Sequence, residues 1–222
     1  MMDKQRHPST TNDNGKCMQE LIERILGHRG HFVCAQISAP ASQHKKLPFT
    51  HICTPPTGDA SDLPEVGGLR RFYSAIGSLT LYHVAASDEA GAYIASPAQW
   101  ASLQHDFLGG FEGMSAQDWS AEDQAWIEAC CVIGTEPHTG NYFLMRMEGD
   151  DAGWVYSFTH AGLEFDEEAP SLPAFVEKLL TVNNSLARRL AYHMRFSEDG
   201  GRTQWTLHSI HDNTGACGRL EA

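Results

Sequence analysis

The chain carries twelve histidines, six cysteines and twenty-eight acidic residues, and their spacing decides whether any of them is equipped for chemistry. The densest run is residues 132–160, VIGTEPHTGNYFLMRMEGDDAGWVYSFTH, where glycines stand beside two histidines, acids and an aspartate pair. A phosphate loop needs glycine amides around the anion and a Lys-Ser/Thr ending, which GTEPHTG lacks; no G-x-G-x-x-G follows a strand and opens a helix. The next pattern is HSIHD, with His208 and His211 three apart beside Asp212. On a helix that spacing could share a metal-ligand face, but TQWTLHSIH reads as a strand, where residues three apart point to opposite sides. The other histidines stand singly. No G-x-S-x-G elbow or cysteine-protease signature marks a nucleophile.

Carboxylates are the remaining chemical resource. Glu148, Asp150 and Asp151 share one turn sequence, and Glu164, Asp166, Glu167 and Glu168 follow in what reads as the next loop. For acid–base hydrolysis one member of a pair would need an apolar pocket to raise its pKa. Glycine-flanked loops favour solvated carboxylates instead, and loop edges of a rigid sheet are where recognition residues collect.

The elements that would position these groups follow from periodicity and turn chemistry. Residues 1–16 are polar and aperiodic and read as a flexible tail. KCMQELIERILGH spaces Met18, Leu21, Ile22, Ile25 and Leu26 as a helix face. HFVCAQI reads as a strand, SAPASQHKKLPF as a loop, and LRRFYSAIG as a short amphipathic helix. SLTLYHVA and AGAYIAS are strands; SPAQWASLQHDFLGG is a helix with Ser96 as N-cap and Pro97 in its first turn. ACCVIG, NYFLMRM and GWVYSFTH are three strands joined by the turns TEPHTG and EGDDAG. SLPAFVEKLLTVNNSLARRLAYH reads as one closing helix, and residues 188–222 as an appended strand or hairpin. Consecutive strands bracketed by helices predict an α+β single domain over residues 17–187, with a largely antiparallel central sheet flanked by helices.

Composition bounds the function classes. With 41% hydrophobic and 20% charged residues the chain is an ordinary globular one, with no apolar run of membrane-helix length. The N-terminal residues have no apolar h-region, so a cytoplasmic address is expected. The cysteines show no C-x-x-C spacing and read as reduced, buried thiols. Residues 51–187 hold four Lys/Arg against twenty Asp/Glu, a net of −16, while residues 1–50 are net +3 and residues 188–222 net +1. Such a core repels nucleic acid and anionic membrane and would steer a basic partner.

Four segments resemble the SUKH superfamily of bacterial polymorphic-toxin immunity proteins, the fungal cell-wall-synthesis regulator and Syd relatives. LPEVGGLRRFYSAIGSLTLYH resembles its proline, helix, Phe-Tyr, glycine and strand entry. CVIGTEPHTGNYFLMRM and GWVYSFTHAGLEF are similar to its Ile-Gly–loop–strand and Val-Tyr-x-Phe-x-His strand-and-turn segments, and APSLPAFVEKLL to its final helix. Together they span about residues 63–182. Ala161 stands where the family has an acid after the histidine, Asn141 where Asp is frequent, and Ile76-Gly77 where the family has Asn-Gly. The resemblance implies a non-enzymatic domain without cofactor or metal, binding a cognate toxin one-to-one. A toxin that works on nucleic acid tends to carry a basic cleft, for which an acidic surface is the complement. The expected contact residues are Glu148, Asp150, Asp151, Asp166, Glu167 and Glu168, with Trp119, Trp126 and Tyr156 as aromatic anchors unless they serve the core. The alternatives are a protein-interaction scaffold of the same fold, or a metal-dependent hydrolase using His208, His211 and nearby acids.

Overall fold

The glycines of residues 132–160 are turn punctuation. In EGDDAG, Gly149 and Gly153 have φ of +94° and +95°, and in TEPHTG Gly140 has +77°, values at which a Cβ is strained. The chain therefore reverses twice and lays three apolar runs side by side as antiparallel strands. This arrangement is seen in a computed structural model that describes residues 11–36, 44–111, 120–193, 195–198 and 203–219.

In chain order the elements are α1 (Thr11–Gly27), β1 (Gly30–Gln36), β2 (His44–Thr54), α2 (Leu69–Tyr73), β3 (Ser78–His83), β4 (Ala92–Ile94), α3 (Trp100–Gly109), α4 (Ala121–Glu128) and β5 (Cys130–Glu136). They continue as β6 (Asn141–Arg146), β7 (Val155–Thr159), β8 (Glu164–Ala169), α5 (Leu172–Leu179), α6 (Ser185–His193), β9 (Arg195–Glu198), β10 (Thr203–Asp212) and β11 (Cys217–Arg219). The eleven strands of the described residues form one antiparallel sheet, in the order β11-β10-β1-β2-β3-β4-β5-β6-β7-β8, with β9 beside β10. The fold is α+β, a single domain with a large antiparallel sheet and a few flanking helices.

Four local expectations change. The segment predicted as a C-terminal appendage is built into the sheet: β10 runs along the whole of β1, from Gly30↔Asp212 to Gln36↔Trp205. Trp205, Leu207 and Ile210 join the same core as Met18 and Phe175, so residues 188–222 cannot be peeled away from the domain without opening that core. HKKLPF, expected within a loop, begins the eleven-residue β2; Pro48 is tolerated there because β3 joins only from Thr50 onward, leaving β1 as the single neighbour at that point. The predicted closing helix is two helices. Asn184 ends one and starts the other: its side-chain amide donates to the Lys178 carbonyl, and its Oδ1 accepts from the Ala187 amide at 2.7 Å. Finally, α1 starts at Thr11, inside the stretch read as tail; residues 1–10 lie outside the described residues.

Two apolar clusters sandwich the β5–β8 end of the sheet. Phe143 and Met145 face the main core with Phe175, Val176 and Leu179 of α5. Leu144 points the other way, into a smaller cluster with Val132, Phe158, Phe107 of α3 and Ile127 of α4. NYFLMRM is thus buried on both faces, which is why its sequence lacks a polar alternation. Ser96 forms the expected cap: its hydroxyl and amide share Gln99, with Pro97 in the first turn leading into α3.

Candidate partner-binding surface

EFDEEA has no β-branched residue and Phe165 as its one strand-favouring side chain, and pairing with β7 makes it β8. The register runs from Thr159↔Glu164 to Tyr156↔Glu167, then slips, leaving Glu168 unpaired before Val155↔Ala169. Alternation sends Phe165 toward the small cluster, where it meets Phe158 and Trp126 at 5.0 Å between ring centres. Asp166 and Glu168 point the other way, toward α5 and α6, while Glu164 and Glu167 are exposed. Among the described residues β8 is the last strand of the sheet, with a neighbour on one side only.

The acids predicted as contact residues therefore divide into two groups. Glu168 has a side chain only 5% exposed and works internally. Its carboxylate accepts from Lys178 Nζ at 2.7 Å, Ser157 Oγ at 2.6 Å and Arg189 Nη2 at 3.0 Å. Arg189 also donates to Asp166 Oδ2 at 3.1 Å and lies 3.7 Å from Glu136, whose other oxygen accepts from Asn141 at 2.6 Å. Asn141 in turn accepts the His160 amide. This network fastens α5 and α6 to β5–β8, so Glu168 is corrected from a contact residue to an internal clamp, with Asp166 at its exposed rim.

The turn acids divide in the same way. Glu148 and Asp150 are exposed, whereas Asp151 accepts from Arg146 Nε at 3.1 Å and Tyr156 Oη at 2.9 Å. Burial would raise the Asp151 pKa, but those two donors hold it below the ordinary carboxylate value. Desolvation, the Asp151 bond and the charges of Asp151 and Glu167 together push the Tyr156 phenol up. Trp126 is half-buried, edge-on to Tyr156 at 4.9 Å with the Arg146 guanidinium 5.2 Å above its ring; Tyr156 is buried. Both aromatics serve the core, which corrects their reading as free anchors, and Trp119 lies outside the described residues. What stays open to solvent is an acidic edge made of Glu164, Glu167, the rim acid Asp166, and Glu148 and Asp150 of the adjoining turn.

A second constellation was invisible in the sequence. His28, after α1, donates and accepts in a chain that joins β2, β3 and β10: Asp212 Oδ2 to His28 Nε2 at 3.2 Å, His28 Nδ1 to His51 Nε2 at 2.7 Å, and His51 Nδ1 to the Tyr82 amide at 3.0 Å. The amide can only donate, so His51 Nδ1 is unprotonated and Nε2–H donates to His28; His28 then accepts at Nδ1 and donates Nε2–H to Asp212. Both rings are neutral and every ring nitrogen is used. Desolvation, then the neighbouring His28, lowers the His51 pKa to about 3, and desolvation lowers that of His28 despite Asp212. The other oxygen of Asp212 accepts from Thr214 and the Ala216 amide. Tyr82 takes a φ of +57°, a conformation costing about 1–2 kcal/mol for a residue with a side chain, and its hydroxyl donates to the Leu179 carbonyl. The chain borders a cleft of about 380 Å³ lined by Arg24, Asn183 and Thr214 among others, but no ring nitrogen is left to act as a base there. It is a structural clasp.

His208 and His211 do not converge on a metal site. The β1–β10 register slips at His208, so Leu207 and Ile210, three apart, both reach the core, and the simple alternation expected of this strand fails. The His208 ring lies 5.8 Å from His44, and His211 stacks on His31 at 5.2 Å. Among the described residues no three or more His, Cys, Asp or Glu side chains are grouped to hold a metal ion. None of their helices is long and apolar enough to cross a membrane. Comparison with known proteins finds no matching family model, no matching curated protein and no matching solved structure.

Proposed function

We propose that this protein is an immunity protein: a cytoplasmic, non-enzymatic binder that neutralises a cognate toxin one-to-one through an acidic surface, as the SUKH resemblance implies. The observation that carries the reading is the set of exposed acids at this end of the sheet, Glu164 and Glu167 on the terminal strand β8 and Glu148 and Asp150 in the β6–β7 turn. Among the described residues their carboxylates have no bonded cation, unlike Glu168 and Asp151, so their charge is projected into solvent. Like charges held on one edge repel one another, which folding does not need; a basic partner relieves that repulsion and is steered to the edge over a Debye length, about 8 Å at physiological salt.

The decisive experiment is co-expression with the product of the adjacent upstream gene. The expected result is that this product arrests growth alone, and that the present protein restores growth and co-purifies with it at one-to-one. Raising salt should weaken the complex mainly by slowing association. A harmless neighbour, or a complex indifferent to reversing Glu148, Asp150, Glu164 and Glu167 to lysine, would count against the reading.

A further inference from the structure

Two opposite charges line the cleft beside the histidine clasp, and neither has a counter-ion. The cleft lies where the end of α1, the α5–α6 junction and the β10–β11 turn meet, and Arg24, Asn183 and Asp212 all line it. The Asp212 side chain is only 4% exposed, so water does little for its charge. Burial would raise its pKa, but the bonds from Thr214, Ala216 and His28 hold it below the ordinary carboxylate value. Each of those donors is neutral, His28 included. Oδ1 accepts three of the bonds and Oδ2 only that of His28, which leaves Oδ2 room for a second donor. A buried charge normally has an opposite charge beside it, and among the described residues no lysine or arginine is bonded to this one.

Arg24, in the last turn of α1, is exposed and among the described residues is bonded to no carboxylate. Its charge adds to the desolvation that lowers the His28 pKa, so its field reaches the clasp. The exposed Asn183 side chain also has no bonded partner among the described residues. Leu180 and Val182 add apolar wall, and the volume of about 380 Å³ falls within the range of about 300–1,000 Å³ typical of small-molecule sites. A ligand with one charge would meet one favourable and one unfavourable wall; a ligand with both charges suits both.

We propose that this cleft binds a zwitterion of the α-amino-acid class, its carboxylate on Arg24 and Asn183 and its ammonium on Asp212. The guanidinium fork matches a carboxylate in shape as well as charge. The histidine clasp then has a second use: it holds Asp212 ionised and in place without a positive charge that would repel the ammonium. The site is separate from the acidic end of the sheet and needs no protein partner.

The probes are the standard amino acids, added singly to the full chain and followed by ¹H–¹⁵N shifts. At least one should move the Thr214 and Ala216 amides, which donate to Asp212, and should saturate. Two blocked forms of that amino acid are then titrated, the amide, which keeps only the ammonium, and the N-acetyl form, which keeps only the carboxylate. Each forfeits a charge-assisted hydrogen bond and should bind roughly tenfold or more weakly. Arg24→Gln should leave Tm unchanged and lower the affinity for the amino acid to that for its amide. Arg29→Gln removes the same charge from an exposed residue that does not line the cleft, and should change neither. A blocked form that binds as tightly as the free amino acid, or Arg24→Gln binding like Arg29→Gln, would overturn the proposal. So would a full set of amino acids that leaves the Thr214 and Ala216 amides unmoved at millimolar concentration.

Discussion

Acid should open the histidine clasp before it touches the rest of the core. His51 is held neutral by burial and by its neighbour His28, with a folded pKa of about 3 against 6.5 for the free side chain. Because the folded value is the lower one, the unfolded chain binds the proton more readily, so this group's contribution is complete above about pH 6.5 and is lost as pH falls toward 3. At pH 5 the unfolded histidine lies about 1.5 units below its pKa, which at 1.36 kcal/mol per unit removes about 2 kcal/mol. For a chain of this size that is a drop in Tm of roughly 4–8 °C. The assay is urea unfolding at pH 8 and pH 5 for the wild type and His51→Asn, which retains an acceptor for the Tyr82 amide but does not titrate. The variant should be the less stable at pH 8, and the gap should narrow by about 2 kcal/mol at pH 5. Long-range ¹⁵N spectra of the imidazoles should show His28 and His51 both protonated at Nε2 and bare at Nδ1 at neutral pH. A gap that is the same at both pH values, or either ring found charged at pH 7, would refute the deduction.

Arg189→Ala should destabilise the fold by about 3–5 kcal/mol, since Glu136 and Glu168 would be left buried without their shared cation; adding Glu168→Gln should recover part of the loss in the same unfolding assay. Phe175→Ala should cost a similar amount, about 3–5 kcal/mol, through the cavity it leaves beside Phe143. Exposed Cys217, 3.6 Å from His211 Nε2, should react with a disulfide reagent well before Cys34 and Cys130, whose thiols burial pushes up to about 12; time-resolved labelling and peptide mapping will give the order. Glu164→Lys with Glu167→Lys should leave Tm nearly unchanged, whereas Glu168→Lys should not fold stably, which separates the outward acids from the internal one in a thermal melt.

The sequence by itself determined the elements whose instructions are local. Glycines that tolerate positive φ placed the β5–β6 and β6–β7 turns, apolar runs placed β5, β6 and β7, Ser96 and Pro97 placed the entry to α3, and runs of strands between helices set the α+β class. Tertiary structure decided whatever depends on a neighbour from elsewhere in the chain. EFDEEA has little strand propensity to read, Phe165 alone favouring a strand, and becomes β8 because β7 supplies its hydrogen bonds. The residues after 193 looked appended because nothing in them names β1 as the partner. Asp150 and Asp151, Glu167 and Glu168 are indistinguishable as letters, and only the positions of Arg146, Lys178 and Arg189 make one of each pair a surface charge and the other a clamp. His28 finds His51 and Asp212 across 23 and 184 positions, a separation no spacing rule can span. Propensity and turn chemistry act between chain neighbours, whereas burial and the demand that every buried polar atom find a partner act between residues that only the completed fold brings together.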